Sequence, residues 1–184
     1  MTPVALTIAG SDPSGGAGLQ ADLKTFHQHG VYGMSVVTLL TVQNTQTVSE
    51  VKTLEPDFVT AQLAAVISDI APGAAKTGAL GNVAIIEKVA ERAAMFPFPL
   101  VIDPVMISKH GAPLIHKDAV QVFKNKLLPH ALLVTPNLPE AGVLVGRSVE
   151  SLDDARQAAR DIVAMGARVA VVKGGHLEGD AVDV

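Results

Sequence analysis

The feature that most constrains this chain is an alternation of short β-type apolar runs with stretches of helical periodicity, repeated along its length. The apolar runs are near-continuous, as in strands buried on both faces. That argues for an α/β fold with a mainly parallel central sheet and helices on both faces. Val4–Ala9 is the first run and ends in a turn cluster. Leu19, Leu23 and Phe26 then recur at helical spacing, with Gly30 as the stop. Ser35–Val42 reads as a strand, and Pro56 opens a helix striped by Val59, Leu63, Val66, Ile67 and Ile70. Ala74–Thr77 is a brief strand, and Asn82 caps a helix carrying Ile86, Val89 and Ala93. Leu100–Ile102 is a strand running into Asp103-Pro104, Ala119–Leu127 a helix, and Ala131–Thr135 a strand stopped by Pro136. Ser151–Asp154 resembles a capping box with Asp in place of Glu. Its helix turns Leu152, Ala155, Ala159, Ile162 and Val163 inward and ends at Gly166. Arg168–Lys173 is the last full strand. Gln43–Leu54, polar and Thr/Gln-rich, reads as an extra β segment or flap.

One domain is expected from 184 residues, with enough chain to bury a core. Asp180–Val184 alternates as a strand does and then stops, so the expectation is a single domain over 1–184 with its C-terminal part missing. A formal charge of −4 without any basic run gives a nucleic-acid groove no electrostatic support, and 3% aromatics give no base-stacking platform. The absence of cysteine excludes a disulfide scaffold and a thiolate metal site. No run of about 18 apolar residues is present to span a bilayer, and Val4–Gly10 is too short and lacks the basic start of a signal peptide. A cytoplasmic protein with no membrane or nucleic-acid partner is the expectation.

In an open parallel sheet, ligands bind beyond the carboxyl ends of the strands. The polar and glycine clusters fall there: Gly10–Gly18, Gln43-Asn44, Lys76-Thr77-Gly78, Asp103, Thr135–Glu140 and Lys173–His176. The first cluster is no P-loop, because Gly15 is followed by Gly16-Ala17 and not by Lys and Ser/Thr. Gly16-Ala17-Gly18-Leu19-Gln20-Ala21 fits the looser dinucleotide pattern, but the zone about 20 residues on, Leu39–Asn44, has no acid for a ribose.

Asp103 follows a buried strand and therefore needs a cation, a donor or water. Glu140, with Asn137, is placed to hold a water shell around Mg²⁺. Each also has a structural reading, Asn137 as an N-cap and Glu140 as the third residue of the capped helix. Lys173 is a phosphate contact or a strand-end lysine reaching solvent. Asp22 is a helix-dipole carboxylate or an acceptor facing the cleft, and Gln43 divides in the same way. His27 and His29 point to different sides of a helix and make no metal pair; His110, His116 and His130 are isolated, and His176 belongs to a turn.

At these residues the sequence resembles the hydroxymethylpyrimidine/phosphomethylpyrimidine kinases of thiamine biosynthesis, in the ribokinase-like superfamily. The stretches that carry it are Ala5–Phe26, Tyr32–Ser35, Val42–Thr45, Glu55–Phe58, Val101–Met106, Thr135–Glu140 and Lys173–His176. The resemblance implies a ribokinase-like kinase domain. Its reaction is ATP-dependent phosphorylation of 4-amino-5-hydroxymethyl-2-methylpyrimidine and then of its monophosphate, with Mg²⁺. By the same resemblance Gly10, Asp22, Gln43 and Val105 bind the pyrimidine. Asp103 and Glu140 serve the metal, and Asn137 and Lys173 the ATP. A homodimer is implied as well, with the Gln43–Leu54 flap as its interface.

The sequence departs from the family pattern in two places. Ala79 stands where the family usually has Met against the pyrimidine, leaving a smaller wall. The family's Gly-Thr-Gly-Cys segment, with its anion hole and base, is absent, so both are expected beyond Val184. Three further readings stay open: a pyridoxine or pyridoxal kinase, a non-catalytic pyrimidine- or nucleotide-binding module, and a dinucleotide-dependent oxidoreductase.

Overall fold

The computed structural model describes residues 2–106, 117–175 and 182–184. Seven strands form one sheet in the order β3-β2-β1-β4-β5-β6-β7. They are β1 (Val4–Ser11), β2 (Tyr32–Gln43), β3 (Val48–Thr53), β4 (Ala74–Thr77), β5 (Leu100–Ile102), β6 (Leu133–Val134) and β7 (Val169–Ala170). All neighbours are parallel except β2 and β3, which pair antiparallel. Among the described residues the α-helices are α1 (Gly18–Gln28), α2 (Pro56–Asp69), α3 (Val83–Ala93), α4 (Lys117–Val122), α5 (Leu138–Val145) and α6 (Leu152–Ala164). The α/β reading with a mainly parallel sheet is borne out, and the Gln43–Leu54 piece supplies the antiparallel edge strand. His110, His116, His176 and residues 180–181 lie outside the described residues.

Helices cover both faces, unequally. Leu6 and Ile8 of β1 register with Met34 and Val36 of β2 and with Ala75 and Thr77 of β4; Leu100, Ile102 and Val134 continue that row. The apolar members form one core cluster with Val59 of α2, Ile86 of α3, Leu144 of α5 and Ile162 of α6. The opposite row runs Thr7, Lys76, Val101, Leu133, Val169. Over it lies α1, whose Asp22 bonds Thr7 and Lys76. Where α1 does not reach, cover thins: Thr7 is fully buried and Val169 is 47% exposed.

The helix punctuation follows the sequence closely. Asn82 accepts the Ile85 N–H, and Gly30 takes φ +69 just past α1. Such caps satisfy N–H and C=O groups that a helix end leaves open. Four details differ. The helix read over Ala119–Leu127 turns at Phe123–Leu127 into a wide π-type turn and then a 3₁₀ turn at Leu128–His130. Pro129 cannot donate an α-helical bond, and the wider turn brings Phe123, Leu127 and Leu128 into the core together.

In α6 Ala158 and not Ala159 is the alanine fully buried between Ala155 and Ile162, and Val163 is 42% exposed. Asp154, one methylene shorter than Glu, accepts from the Ser151 hydroxyl and the Glu150 N–H and does not reach the Ser151 N–H. The Arg168–Lys173 strand is regular only at Val169–Ala170. Lys173 N still donates to Pro136, but that proline has no N–H to return, so the ladder loosens. Past β7 the chain end pairs antiparallel, Val172 and Val184 exchanging backbone bonds of 2.7 and 3.0 Å.

Candidate active site

The glycine loop between β1 and α1 is built around Asp12. Its buried carboxylate accepts Ser14 N (2.9 Å), Ser14 Oγ (2.7 Å), Gly16 N (3.1 Å) and Ala17 N (2.9 Å). Burial alone would raise the pKa, but these donors outweigh it and hold the group below the ordinary aspartate value of 3.8. Gln20 ties down the other side, accepting Asp12 N at 2.8 Å and donating to Ser11 Oγ at 2.7 Å. Gly18 takes φ +57 and passes so close to the Gly10 carbonyl that a side chain there would overlap it. A Cβ on Gly10 would come within 2.6 Å of Leu39 Cδ1. The loop is thus pre-shaped at the carboxyl end of β1.

Asp22 sits one turn into α1, outside the first turn, so the helix-dipole role is not the one it fills. It faces the sheet. Thr7 Oγ1 donates to Oδ2 at 2.6 Å, and Lys76 Nζ reaches Oδ2 at 2.9 Å and Oδ1 at 3.1 Å. Gly10 is the penultimate residue of β1, beside Leu39 and Ala79. Gln43 ends β2 at a register shift, two residues past Thr41, whose hydroxyl bonds the Ser11 carbonyl. Val105 follows β5 in a tight turn, its N–H on the Asp103 carbonyl at 2.9 Å. It lines a cavity of about 10 Å³ with Gly78, Leu80 and Pro104. Gly10, Gln43 and Val105 therefore lie at or past the carboxyl ends of β1, β2 and β5, while Asp22 reaches the sheet from α1.

The second group lies at the ends of β5, β6 and β7. Lys173 Nζ meets Asp103 Oδ1 at 3.1 Å, and Lys173 bridges to Asn137 through the backbone. Asn137 and Glu140 form a reciprocal capping box: Asn137 Oδ1 accepts Glu140 N at 2.8 Å, and Glu140 Oε2 accepts Asn137 N at 2.9 Å. The structural roles read for Asn137 and Glu140 are therefore real, and they coexist with a place in the cluster. Glu140 is 3% exposed, so its carboxyl is pushed above the ordinary value of 4.5. Burial is the main cause and Asp103's charge adds to it. The Asn137 and Met106 N–H groups and Lys173 oppose it.

Among the described residues no three acids or histidines form a metal cage. Two carboxylates, Asp103 half-exposed and Glu140 buried, fit a cation such as Mg²⁺ that keeps several waters and takes its other ligands from substrate phosphates.

Asp12 and Lys76 fall in the strand-end clusters read from the sequence but were given no role there, and Thr7 was read only as part of the first strand. The readable signal for Lys76 is a lysine inside a four-residue strand of a covered sheet, which must find a carboxylate.

A sequence profile described as phosphomethylpyrimidine kinase matches residues 12–184. The chain belongs to this kinase family. The hydroxymethylpyrimidine/phosphomethylpyrimidine kinase of Bacillus subtilis is 47% identical over 173 residues, which cover 94% of this chain and 64% of that protein. The chain spans about two thirds of the length of such curated relatives. Among solved structures, the phosphomethylpyrimidine kinase of Clostridium difficile superposes with TM-score 0.91 at 44% identity, over 98% of this chain and 79% of that one. The ADP complex of Bacillus subtilis pyridoxal kinase gives TM-score 0.92 at 41% identity, over 100% and 71%. The likeness to the phosphomethylpyrimidine kinase structure thus extends over nearly the whole of this chain. No described helix is long and apolar enough to cross a membrane.

Proposed function

We propose that residues 1–184 form one ribokinase-like kinase domain. It binds 4-amino-5-hydroxymethyl-2-methylpyrimidine and ATP for phosphorylation of the alcohol and then of the monophosphate, in thiamine biosynthesis. The observation that carries this reading is the convergence of Asp103, Asn137, Glu140 and Lys173 at neighbouring strand ends, in a chain of the phosphomethylpyrimidine kinase family. Gly10, Asp22, Gln43 and Val105 are the acceptor side.

In the transfer the acceptor's alcohol oxygen bonds the γ-phosphorus as the bond to ADP breaks. The chemistry is mostly positioning and charge neutralisation. Lys173 would hold nucleotide phosphate and Asn137 orient it, while Asp103 and Glu140 would hold Mg²⁺, which neutralises charge on the transferring group. The base that takes the alcohol proton and the donors of an anion hole are assigned to no residue of this chain.

Pyridoxal kinase is the second reading, supported by the likeness to the ADP complex of that enzyme. A homodimer through the β2–β3 flap is also proposed, because Leu40 (44%), Val42 (57%), Val48 (38%) and Val51 (45%) leave apolar surface exposed there.

The test uses the 184-residue chain at verified intact mass. Binding of hydroxymethylpyrimidine, of pyridoxal and of Mg·ATP is measured by calorimetry, and product formation by mass spectrometry. Binding of both ligands with turnover supports the kinase and places the base within this chain. Binding without turnover makes the chain a ligand-binding unit. Preference for pyridoxal moves the second reading ahead, and failure to bind any of these acceptors overturns both.

A further inference from the structure

The sheet face beneath α1 carries an ionic group where apolar side chains surround it. Thr7 and Lys76 are register neighbours on β1 and β4, so both project toward α1, next to Val101 on β5. Asp22 comes down between them. Among the described residues its Oδ2 accepts two donors, Thr7 Oγ1 and Lys76 Nζ, and its Oδ1 accepts Lys76 Nζ alone, at 3.1 Å. The Lys76 and Asp22 side chains are 22% and 18% exposed. A half-buried pair of this kind is a poor device for stability, since well-packed apolar residues of similar volume usually serve as well or better. The lysine stem runs up the strand toward its carboxyl end. A Cβ on Gly78 would sit 3.1 Å from Lys76 Nζ, so the glycine leaves room for the ammonium. The pair therefore lies at the margin of the strand-end crevice, with the less occupied carboxylate oxygen, Oδ1, free to accept another hydrogen bond.

We propose that Lys76 and Thr7 are positioning residues of the acceptor site: they fix the Asp22 carboxylate so that Oδ1 accepts an N–H or O–H of a small heteroaromatic acceptor. This rests on the acceptor role proposed above for Asp22. The Lys76 ammonium sets the position of the carboxylate, and the Thr7 hydroxyl stops it from rotating. Neither needs to touch the acceptor.

The test is calorimetric titration of 4-amino-5-hydroxymethyl-2-methylpyrimidine, pyridoxine and, separately, Mg·ADP into the wild type and the variants K76M, K76R, T7V, D22N and K76M/D22N. K76M is expected to weaken pyrimidine binding about tenfold, the loss of a charge-assisted hydrogen bond, and to leave Mg·ADP binding within about twofold. T7V, which keeps the side-chain shape, should weaken it about threefold, and K76R should recover part of the loss. The double variant should bind no worse than D22N, because both changes act through one carboxylate. Wild-type pyrimidine affinity in K76M and T7V, or additive losses in the double variant, would overturn the inference and leave the proposed function standing. So would an equal loss of Mg·ADP binding in K76M with its melting temperature kept. If K76M does not fold, T7V and K76R decide by the same comparison. A wild type that binds Mg·ADP and neither acceptor removes the proposed function, and the inference with it.

Discussion

Glu140 and Asn137 hold each other at the start of α5, side chain to backbone in both directions, and the same Glu140 carboxylate faces Asp103 and Lys173. One side chain thus serves both the helix end and the cluster. Its raised pKa fixes the sign of its effect on stability. An acid whose folded pKa lies above its unfolded value costs stability once ionised, so that cost grows as pH rises from the ordinary value of 4.5 through the folded value. Glu140→Gln removes this slope. Gln can still serve the capping box, so at pH 7.5 the variant should unfold within about 1 kcal/mol of wild type. Mg·ADP binding should fall by about tenfold, as when a group orienting a metal is lost. Urea unfolding at pH 5 and 7.5 beside calorimetry checks both halves.

Asp12 has the opposite sign. Its folded pKa is depressed, so its contribution is present above the ordinary value of 3.8 and is lost as pH falls below that through the folded value. Asp12→Ala should cost roughly 2–3 kcal/mol at pH 7, because four hydrogen bonds to a buried carboxylate go at once. The variant should also lose less stability than wild type between pH 4 and pH 2. Denaturant midpoints measured across that range are the check.

Thr77 carries a fully buried hydroxyl with no partner among the described residues, in the core row between Ile8 and Ile102. Thr77→Val replaces it with a methyl group of nearly the same shape. The variant should be more stable by about 1 kcal/mol, seen as a higher urea midpoint at unchanged m.

Gly18 cannot carry a side chain. Its φ of +57 disfavours one, and the Gly10 carbonyl occupies the space. Gly18→Ala should destabilise by about 2 kcal/mol or more, whereas Gly30→Ala, with a similar φ and nothing nearby, should cost only about 1 kcal/mol. Thermal melts of the two variants side by side isolate the steric part.

Strands β4 and β5 were legible to the residue and helix α3 from its cap, because apolar runs and caps are local signals. The π-type turn was not, since Phe123–Leu127 reads as helix until Pro129 and the core compete for its geometry. Asp103, Asn137, Glu140 and Lys173 could each be picked from the sequence as strand-end polar residues. Their mutual contacts depend on strand order, which periodicity does not encode. The partner of Lys76 was hidden for the same reason: Asp22 lies 54 positions away, on a helix packed against a neighbouring strand.

The two sheet faces divide the molecule's work. Leu6, Ile8 and Ala75 belong to the core that holds the chain together, while Thr7 and Lys76, their immediate neighbours in sequence, look the other way toward Asp22. Stepping by one residue along β1 or β4 thus moves from the apolar core to the polar group beneath α1, so neighbouring positions in the sequence answer to two different environments.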